Sequence, residues 1–175
     1  GQTIRVYLDG EKFSMFDGEV LSGSRWLDMQ NGYTVRKVLW KAPNGKEAEI
    51  EIRRMTSFSH LQLFVIDYQV TPVNFSGEVR IESEHQGNVR NYCNPNDPRV
   101  AGESFQHLIP DHGTVVNGAS YLVTNTATSG LQVCTGVKNT ISADEVQNGE
   151  IVLEGHHAVQ KFTVSAKQGE AIRFV

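Results

Sequence analysis

The chain has 175 residues, and its 20 Asp and Glu outnumber its 16 Lys and Arg to give a formal net charge of −4. A phosphate backbone is bound by a basic surface, so this balance excludes nucleic acid as an expected partner. Hydrophobic residues make up 39% of the chain and charged residues 21%, as in a globular domain with a sizeable core, and no apolar run is long enough to cross a membrane as a helix. We therefore expect a single domain over residues 1–175, without a membrane partner.

Short strands separated by turns are predicted over the first fifty residues. Residues 2–8 alternate between apolar and other side chains, which predicts a strand, and Asp9-Gly10 forms a hairpin-type turn after it. Residues 20–29 and 33–40 are the next predicted strands, and glycine turns bound them.

The stretch from residue 49 to residue 91 predicts a meander of three strands. Ile50 and Ile52 alternate with charged residues, which is the period of a half-buried strand. Residues 61–70 carry apolar side chains on both faces, as is typical of a strand in the middle of stacked sheets. We therefore expect residues 61–70 to be the buried centre of the fold, with Leu63, Phe64, Val65 and Ile66 packed into apolar layers on opposite faces.

The pattern changes between residues 91 and 118. This segment holds three of the five prolines, many Asn and Asp residues and only scattered apolar ones. Segments of this length without a periodic pattern are usually functional or interfacial loops. We interpret the segment as the functional surface and predict that Tyr92, Phe105 and His107 contact carbohydrate or a partner. The alternative is that it folds back as ordinary strands.

Strand signals resume after residue 118, and glycine turns separate them. They lie at residues 121–124, 131–137, 151–153, 158–165 and 171–175. No apolar three-four repeat persists long enough for a substantial helix, and residues 142–146 leave room for one helical turn. Short strands at this spacing predict an all-β fold, a sandwich or a barrel.

No set of residues forms a recognisable catalytic or metal motif. The doublet His156-His157 would point its rings to opposite faces of a strand, whereas zinc needs three or four converging ligands. Glu82 and Glu84 share one side of a strand and are better explained as a solvated row than as the acid and base of a glycosidase. We therefore predict no catalytic residue, no metal site and no cofactor in this chain.

Cysteine is rare, with Cys93 and Cys134 as the two examples. Disulfides persist in oxidising compartments, so two idle thiols are typical of a cytosolic protein. A single disulfide in a secreted module is the alternative. We expect a cytoplasmic protein.

Several stretches together carry a resemblance, through their order and spacing rather than through any single motif. They are Asp17-Gly18-Glu19-Val20-Leu21, the run from Arg25 to Gly32, Met55-Thr56-Ser57-Phe58, residues 61–79, Gln106-His107-Leu108 and Asn125-Thr126-Ala127-Thr128-Ser129-Gly130. In these stretches the chain resembles the amino-terminal domain of glycoside hydrolase family 65, which contains the maltose, kojibiose and trehalose phosphorylases.

The resemblance implies a large antiparallel β-sandwich, or supersandwich, similar in fold to galactose mutarotase. In that family the general acid lies in a separate helical-barrel domain, where phosphate attacks the anomeric carbon, and none of the barrel motifs occurs here. The implied partners are the helical-barrel catalytic domain of the same polypeptide, a second copy in a homodimer, and carbohydrate. Family strands that precede Gln2 are missing and the chain stops at Val175, so we expect an incomplete amino-terminal domain of a larger enzyme.

Three functional hypotheses remain open. The first is a non-catalytic structural and interface domain of a phosphorylase or hydrolase acting on α-linked glucose disaccharides of the maltose, kojibiose or trehalose type. The second is a free-standing carbohydrate-binding sandwich that stacks exposed rings on sugars; its candidate rings are Trp26, Tyr33, Trp40, Tyr92 and Phe105. The third, on fold analogy alone, is a mutarotase-like enzyme with His107, His112 or His157 as the base.

Overall fold

The computed structural model describes residues 1–100 and 103–175, and every regular element in that part of the chain is a β-strand. The strands are β1 (Gln2–Leu8), β2 (Glu11–Lys12), β3 (Glu19–Asp28), β4 (Tyr33–Lys41), β5 (Glu47–Thr56), β6 (Phe64–Pro72), β7 (Gly77–Gln86), β8 (Leu108–Val116), β9 (Ala119–Thr126), β10 (Gln132–Lys138), β11 (Ile141–Ser142), β12 (Val146–Asn148), β13 (Val152–Glu154), β14 (His157–Ala166) and β15 (Ile172–Phe174). The single helical turn predicted at residues 142–146 is absent, because β11 and β12 occupy that stretch. The described residues contain no helix that could span a membrane.

The strands form three sheets. Their orders are β12-β14-β7-β1-β2, with β13 paired to β14, then β10-β9-β8, and then β11-β15-β6-β5-β4-β3. Neighbouring strands such as β4, β5 and β6 pair antiparallel, and the predicted all-β antiparallel sandwich is confirmed. Two compact units can be distinguished, unit 1 (Gly1–Ile4, Glu82–Lys138 and Gly149–Lys161) and unit 2 (Arg5–Ile81, Asn139–Asn148 and Phe162–Val175).

Unit 2 has an apolar core. The alternating residues Ile50 and Ile52 of β5 are buried, as their period predicts. Phe162 of β14 packs edge to face on Phe174 of β15, with ring centroids 5.4 Å apart, a geometry that the aromatic quadrupole favours. Other fully buried side chains of this unit are Val6, Leu8, Val38, Trp40, Val70, Val79, Ile81 and Val164.

Trp40 is held in that core by the turn before β3. Its indole Nε1 donates a hydrogen bond of 2.9 Å to the carbonyl oxygen of Asp17. Gly18 follows with a φ of 78°, and a Cβ at that position would lie 2.5 Å from the Lys41 carbonyl oxygen. A side chain there would be strained by both its backbone conformation and this contact, so the turn requires glycine.

The predicted buried strand at residues 61–70 is only partly correct. Strand β6 begins at Phe64 and lies between β5 and β15, so its interior place in the sheet is confirmed. However, Leu61 is 81% exposed, Phe64 is 53% exposed, and Leu63 is exposed as well. The chain is still turning in the polar loop before β6, where the amide of Leu63 donates a hydrogen bond of 2.8 Å to the carbonyl of His60. The strand therefore begins later than predicted. The prediction failed because apolar periodicity does not show where the opposing layer ends.

Unit 1 contains the sheet β10-β9-β8 and the pairing of β13 with β14. Strand β8 falls inside the segment 91–118 that we predicted to be irregular, so the prediction is wrong for residues 108–116. Pro110 and Gly113 hide the strand period there, and the register of β8 against β9 shifts between Pro110 and His112. Residues 91–100 and 103–107 form no strand, as predicted, and Ala101 and Gly102 lie outside the described residues.

Candidate functional site

The irregular segment of unit 1 is tied down at both ends. The side-chain Oδ1 of Asn91 accepts a hydrogen bond of 2.8 Å from the amide of Phe105, and the Asn91 amide donates to the Phe105 carbonyl at 3.2 Å. The side chain of Gln106 donates to Oδ1 of Asn88 at 2.9 Å. The carbonyl of His107 accepts from the amide of Ala127 at 2.8 Å. These bonds fix the backbone at both ends of the segment while its side chains stay accessible.

The three residues predicted to contact carbohydrate or a partner all lie in this segment. Tyr92 is 74% exposed and Phe105 is 49% exposed. The rings of Phe105 and His107 pack edge to face with centroids 4.5 Å apart, so the structure brings these two together. Exposed rings beside the amide groups of Asn88 and Gln106 can supply apolar contact together with hydrogen-bond donors and acceptors, as small polar ligands require.

The carboxylates of β7 lie near basic side chains of β14. Glu82 lies 3.8 Å from Nζ of Lys161, and Glu84 lies 3.9 Å from Nε2 of His157. Glu82 thus faces a lysine and Glu84 a histidine of the neighbouring strand. Within residues 1–100 and 103–175, no three His, Cys, Asp or Glu side chains converge in a way that could hold a metal ion.

A second accessible surface lies in unit 2, at the end of the sheet where β3 joins β4 and β5 joins β6. Tyr33 pairs with Met55 in the sheet, so the two connections open at the same end. A Cβ on Gly32 would lie 3.8 Å from the ring of Phe58, so the connections also touch. We call this surface the apolar tip. It consists of Met29, Phe58, Leu61, Leu63 and Phe64, all exposed.

The chain matches the family described as Glycosyl hydrolase family 65, N-terminal domain, over residues 1–175. It belongs to this family. An α,α-trehalose phosphorylase of Geobacillus stearothermophilus is 38% identical over 119 residues, which cover 67% of this chain and 15% of the relative. A kojibiose phosphorylase of Halothermothrix orenii is 29% identical over 155 residues, covering 87% of this chain and 18% of the relative.

The fold has a solved counterpart in a putative kojibiose phosphorylase from the human microbiome. Its TM-score is 0.75 at 14% sequence identity, over 98% of this chain and 21% of that one, so the likeness concerns the fold. The chain therefore spans about a fifth or less of the length of these relatives. The rings of Tyr92, Phe105 and His107 and the apolar tip accordingly belong to a family 65 amino-terminal domain.

Sequence reasoning missed the apolar tip. The sequence predicts a buried strand at Leu61, Leu63 and Phe64, because their apolar character fits a buried strand as well as it fits an exposed loop. The run Thr56-Ser57-Phe58-Ser59-His60 before them was the available signal, since Ser-rich stretches between strands favour turns.

Proposed function

We propose that this chain is the non-catalytic structural and interface domain of a family 65 glycoside phosphorylase or hydrolase. The disaccharides would be α-linked glucose disaccharides of the maltose, kojibiose or trehalose type, since relatives bear the names trehalose phosphorylase and kojibiose phosphorylase. Its partner would be the catalytic domain of the same polypeptide, with a second copy of the enzyme as a further neighbour.

The apolar tip carries this proposal. Single exposed apolar residues are normal on a protein surface, but a contiguous group of large ones marks an interaction site. Phe58 and Leu61 lie on the connection between β5 and β6, Phe64 begins β6, and Met29 lies on the adjoining connection between β3 and β4. The relatives are several times longer than this chain, so a longer polypeptide would supply the apolar surface that covers the tip.

Hydrogen exchange on the chain alone and within its full reading frame tests the proposal. The backbone amides of residues 57–63 should exchange at least about tenfold more slowly in the full-length protein, because burial against a second domain removes local opening. Unchanged exchange in that loop would contradict an interface at the tip.

A matched pair of substitutions adds specificity to the test. Leu61→Ser changes an exposed leucine in the tip, whereas Leu131→Ser changes an exposed leucine in the turn before β10 of unit 1. We expect Leu61→Ser alone to restore fast exchange at residues 57–63 in the full-length protein. Equal effects of both substitutions would mean that the tip has no special role.

Carbohydrate binding is the second candidate function, and the exposed rings of Tyr92 and Phe105 favour it. Titration of the chain with maltose, kojibiose and trehalose, followed by NMR, would test it. Shifts confined to residues 88–92 and 105–107, and lost in Phe105→Ser, would establish a binding site. Trp26→Ser is the control, because this half-exposed ring lies in unit 2.

A further inference from the structure

Two arginines stand directly opposite each other in the unit 2 sheet. Arg25 of β3 is the cross-strand partner of Arg36 of β4, so their Cβ atoms are about 5 Å apart. Like charges in this position repel and destabilise the pairing of strands. No hydrogen bond or ion pair joins either guanidinium to another of the described residues. A conflict of this kind is expected at a binding site rather than in a purely structural sheet.

A third arginine stands on the same face. Arg36 pairs with Ile52, and Arg54 lies two residues further along β5, so both side chains project from one side of the sheet. Both charges also act on the hydroxyl of Tyr68, which pairs with Ile52 from β6. Burial raises the pKa of this hydroxyl, and the positive charges of Arg54 and Arg36 oppose that rise.

This face of the sheet offers the arginines no acidic counter-charge. On β3 to β6, all of whose residues are described, the positions on this side hold no Asp or Glu. Besides the three arginines, these positions hold Thr34, Thr56, Tyr68 and a number of apolar residues. The acidic residues Glu49 and Glu51 of β5 lie on the opposite face, where they pair with Lys37 and Arg53.

A groove of about 540 Å³ opens beside Arg25 and Arg36. Arg25, Arg36, Gly23 and Ser24 line it together with the apolar residues Met15, Phe16 and Val38. Phe16 is almost fully exposed. An open groove of this volume can accommodate a small organic molecule, and few polar groups among apolar walls are typical of ligand sites.

We propose that Arg25 and Arg36 form a binding site for a phosphate monoester, to which Arg54 adds positive charge from the same face of the sheet. Guanidinium groups match phosphate oxygens in bidentate geometry, and a monoester is close to a dianion at neutral pH, so it balances several positive charges. The ester's organic group contacts Met15 and Phe16. This site is formed within unit 2 alone and does not rest on the interface role of the apolar tip.

The test uses the 175-residue chain, phenyl phosphate as the probe, and NMR at low ionic strength. The NMR signals of the backbone amides of Gly23, Ser24 and Arg36 should shift. Those of Glu49 and Glu51, whose side chains lie on the opposite face of the sheet, should shift less. Phenyl phosphate should bind more tightly than inorganic phosphate, because only the ester reaches the apolar wall, and more tightly than phenylacetate, because a carboxylate carries one charge. Failure of phenyl phosphate to bind overturns the proposal. Equal or tighter phenylacetate binding overturns the assignment of phosphate as the ligand group.

Substitutions locate the site. Arg25→Gln and Arg36→Gln should each weaken binding about tenfold or more, because each removes a charge-assisted pair of hydrogen bonds. Arg53→Gln is the matched control: it removes the same charge from the opposite face of β5, and binding should weaken less than about twofold. Equal losses in Arg36→Gln and Arg53→Gln would show a diffuse charge effect and overturn the site.

Phe16→Ser provides a test that does not depend on the arginines. The ring is exposed, so its removal does not threaten folding. Phenyl phosphate binding should weaken about threefold or more, while inorganic phosphate binding should stay unchanged. No change for phenyl phosphate would show that the groove is not the binding surface.

Discussion

The buried histidine of unit 1 predicts a pH-dependent stability. His85 of β7 is 4% exposed, and its two ring nitrogens lie 3.0 Å from Oγ of Ser120 on β9 and 2.9 Å from Oγ1 of Thr135 on β10. The side chain thus joins three strands through two hydroxyls. Burial lowers the pKa of His85 from 6.5 to about 4, because a charged imidazolium is costly to hold away from water.

The sign and size of the effect follow from linkage. Above pH 6.5 the imidazole is neutral in both the folded and the unfolded chain, so its titration does not alter stability. Between pH 6.5 and about 4 the unfolded chain binds the proton and the folded chain does not, so the free energy of unfolding falls by about 1.4 kcal/mol per pH unit. Over the whole window the loss amounts to roughly 3 kcal/mol.

Comparison of wild type with His85→Gln isolates this contribution, because glutamine does not titrate. At pH 7 the variant should be less stable by about 1–3 kcal/mol, since it disturbs a buried hydrogen-bonded group. As the pH falls to 4, the wild type should lose roughly 3 kcal/mol relative to the variant. His60→Gln, at an exposed histidine, should keep the wild-type pH dependence and is the control.

The assay must report on unit 1. Both tryptophans, Trp26 and Trp40, lie in unit 2, so urea unfolding should be followed by circular dichroism and by the NMR signals of unit 1 amides. An NMR titration of the His85 ring gives its pKa directly. A measured pKa near 6.5, or a stability difference between wild type and His85→Gln that stays constant from pH 7 to pH 4, would refute the reasoning.

Three further predictions concern the core, the chemistry and the irregular segment. Phe174→Ala should cost about 3–5 kcal/mol of unfolding free energy, because it leaves a cavity in the core. Phe64→Ala should cost about 1 kcal/mol or less, because its ring is half exposed. Urea unfolding measures both losses, and equal losses would contradict the assigned burial. The chain incubated with maltose, kojibiose or trehalose and phosphate should release no glucose 1-phosphate, with the Geobacillus stearothermophilus trehalose phosphorylase as the active control; turnover abolished by a point substitution within the chain would contradict a non-catalytic role. Amides of residues 92–100 should exchange faster than those of β6, because they carry no ladder hydrogen bonds; protection equal to that of β6 would make the segment part of the core.

The fold could be predicted from the sequence because its information is local. Period-two alternation over β1, β5 and β7 and the glycine turns between strands reflect sheet geometry, which acts within a few residues. The same local rules failed where an irregular backbone hides the period, as at the register shift between Pro110 and His112 of β8. They also failed at Leu61 and Phe64, where burial depends on how far an opposing layer extends.

The candidate surfaces were harder to predict, because they depend on strand register. That Arg25 opposes Arg36 follows from the register of the hairpin of β3 and β4, and a shift of one residue would place the two side chains on opposite faces. Along the sequence each of these arginines looks like an ordinary solvated charge. Only pairing reveals that Arg25, Arg36 and Arg54 share the face that carries the buried Ile52 and Tyr68, and that this face holds no carboxylate. Three cations at the margin of an apolar layer weaken the sheet, so their placement there is best explained by an anion that binds between them.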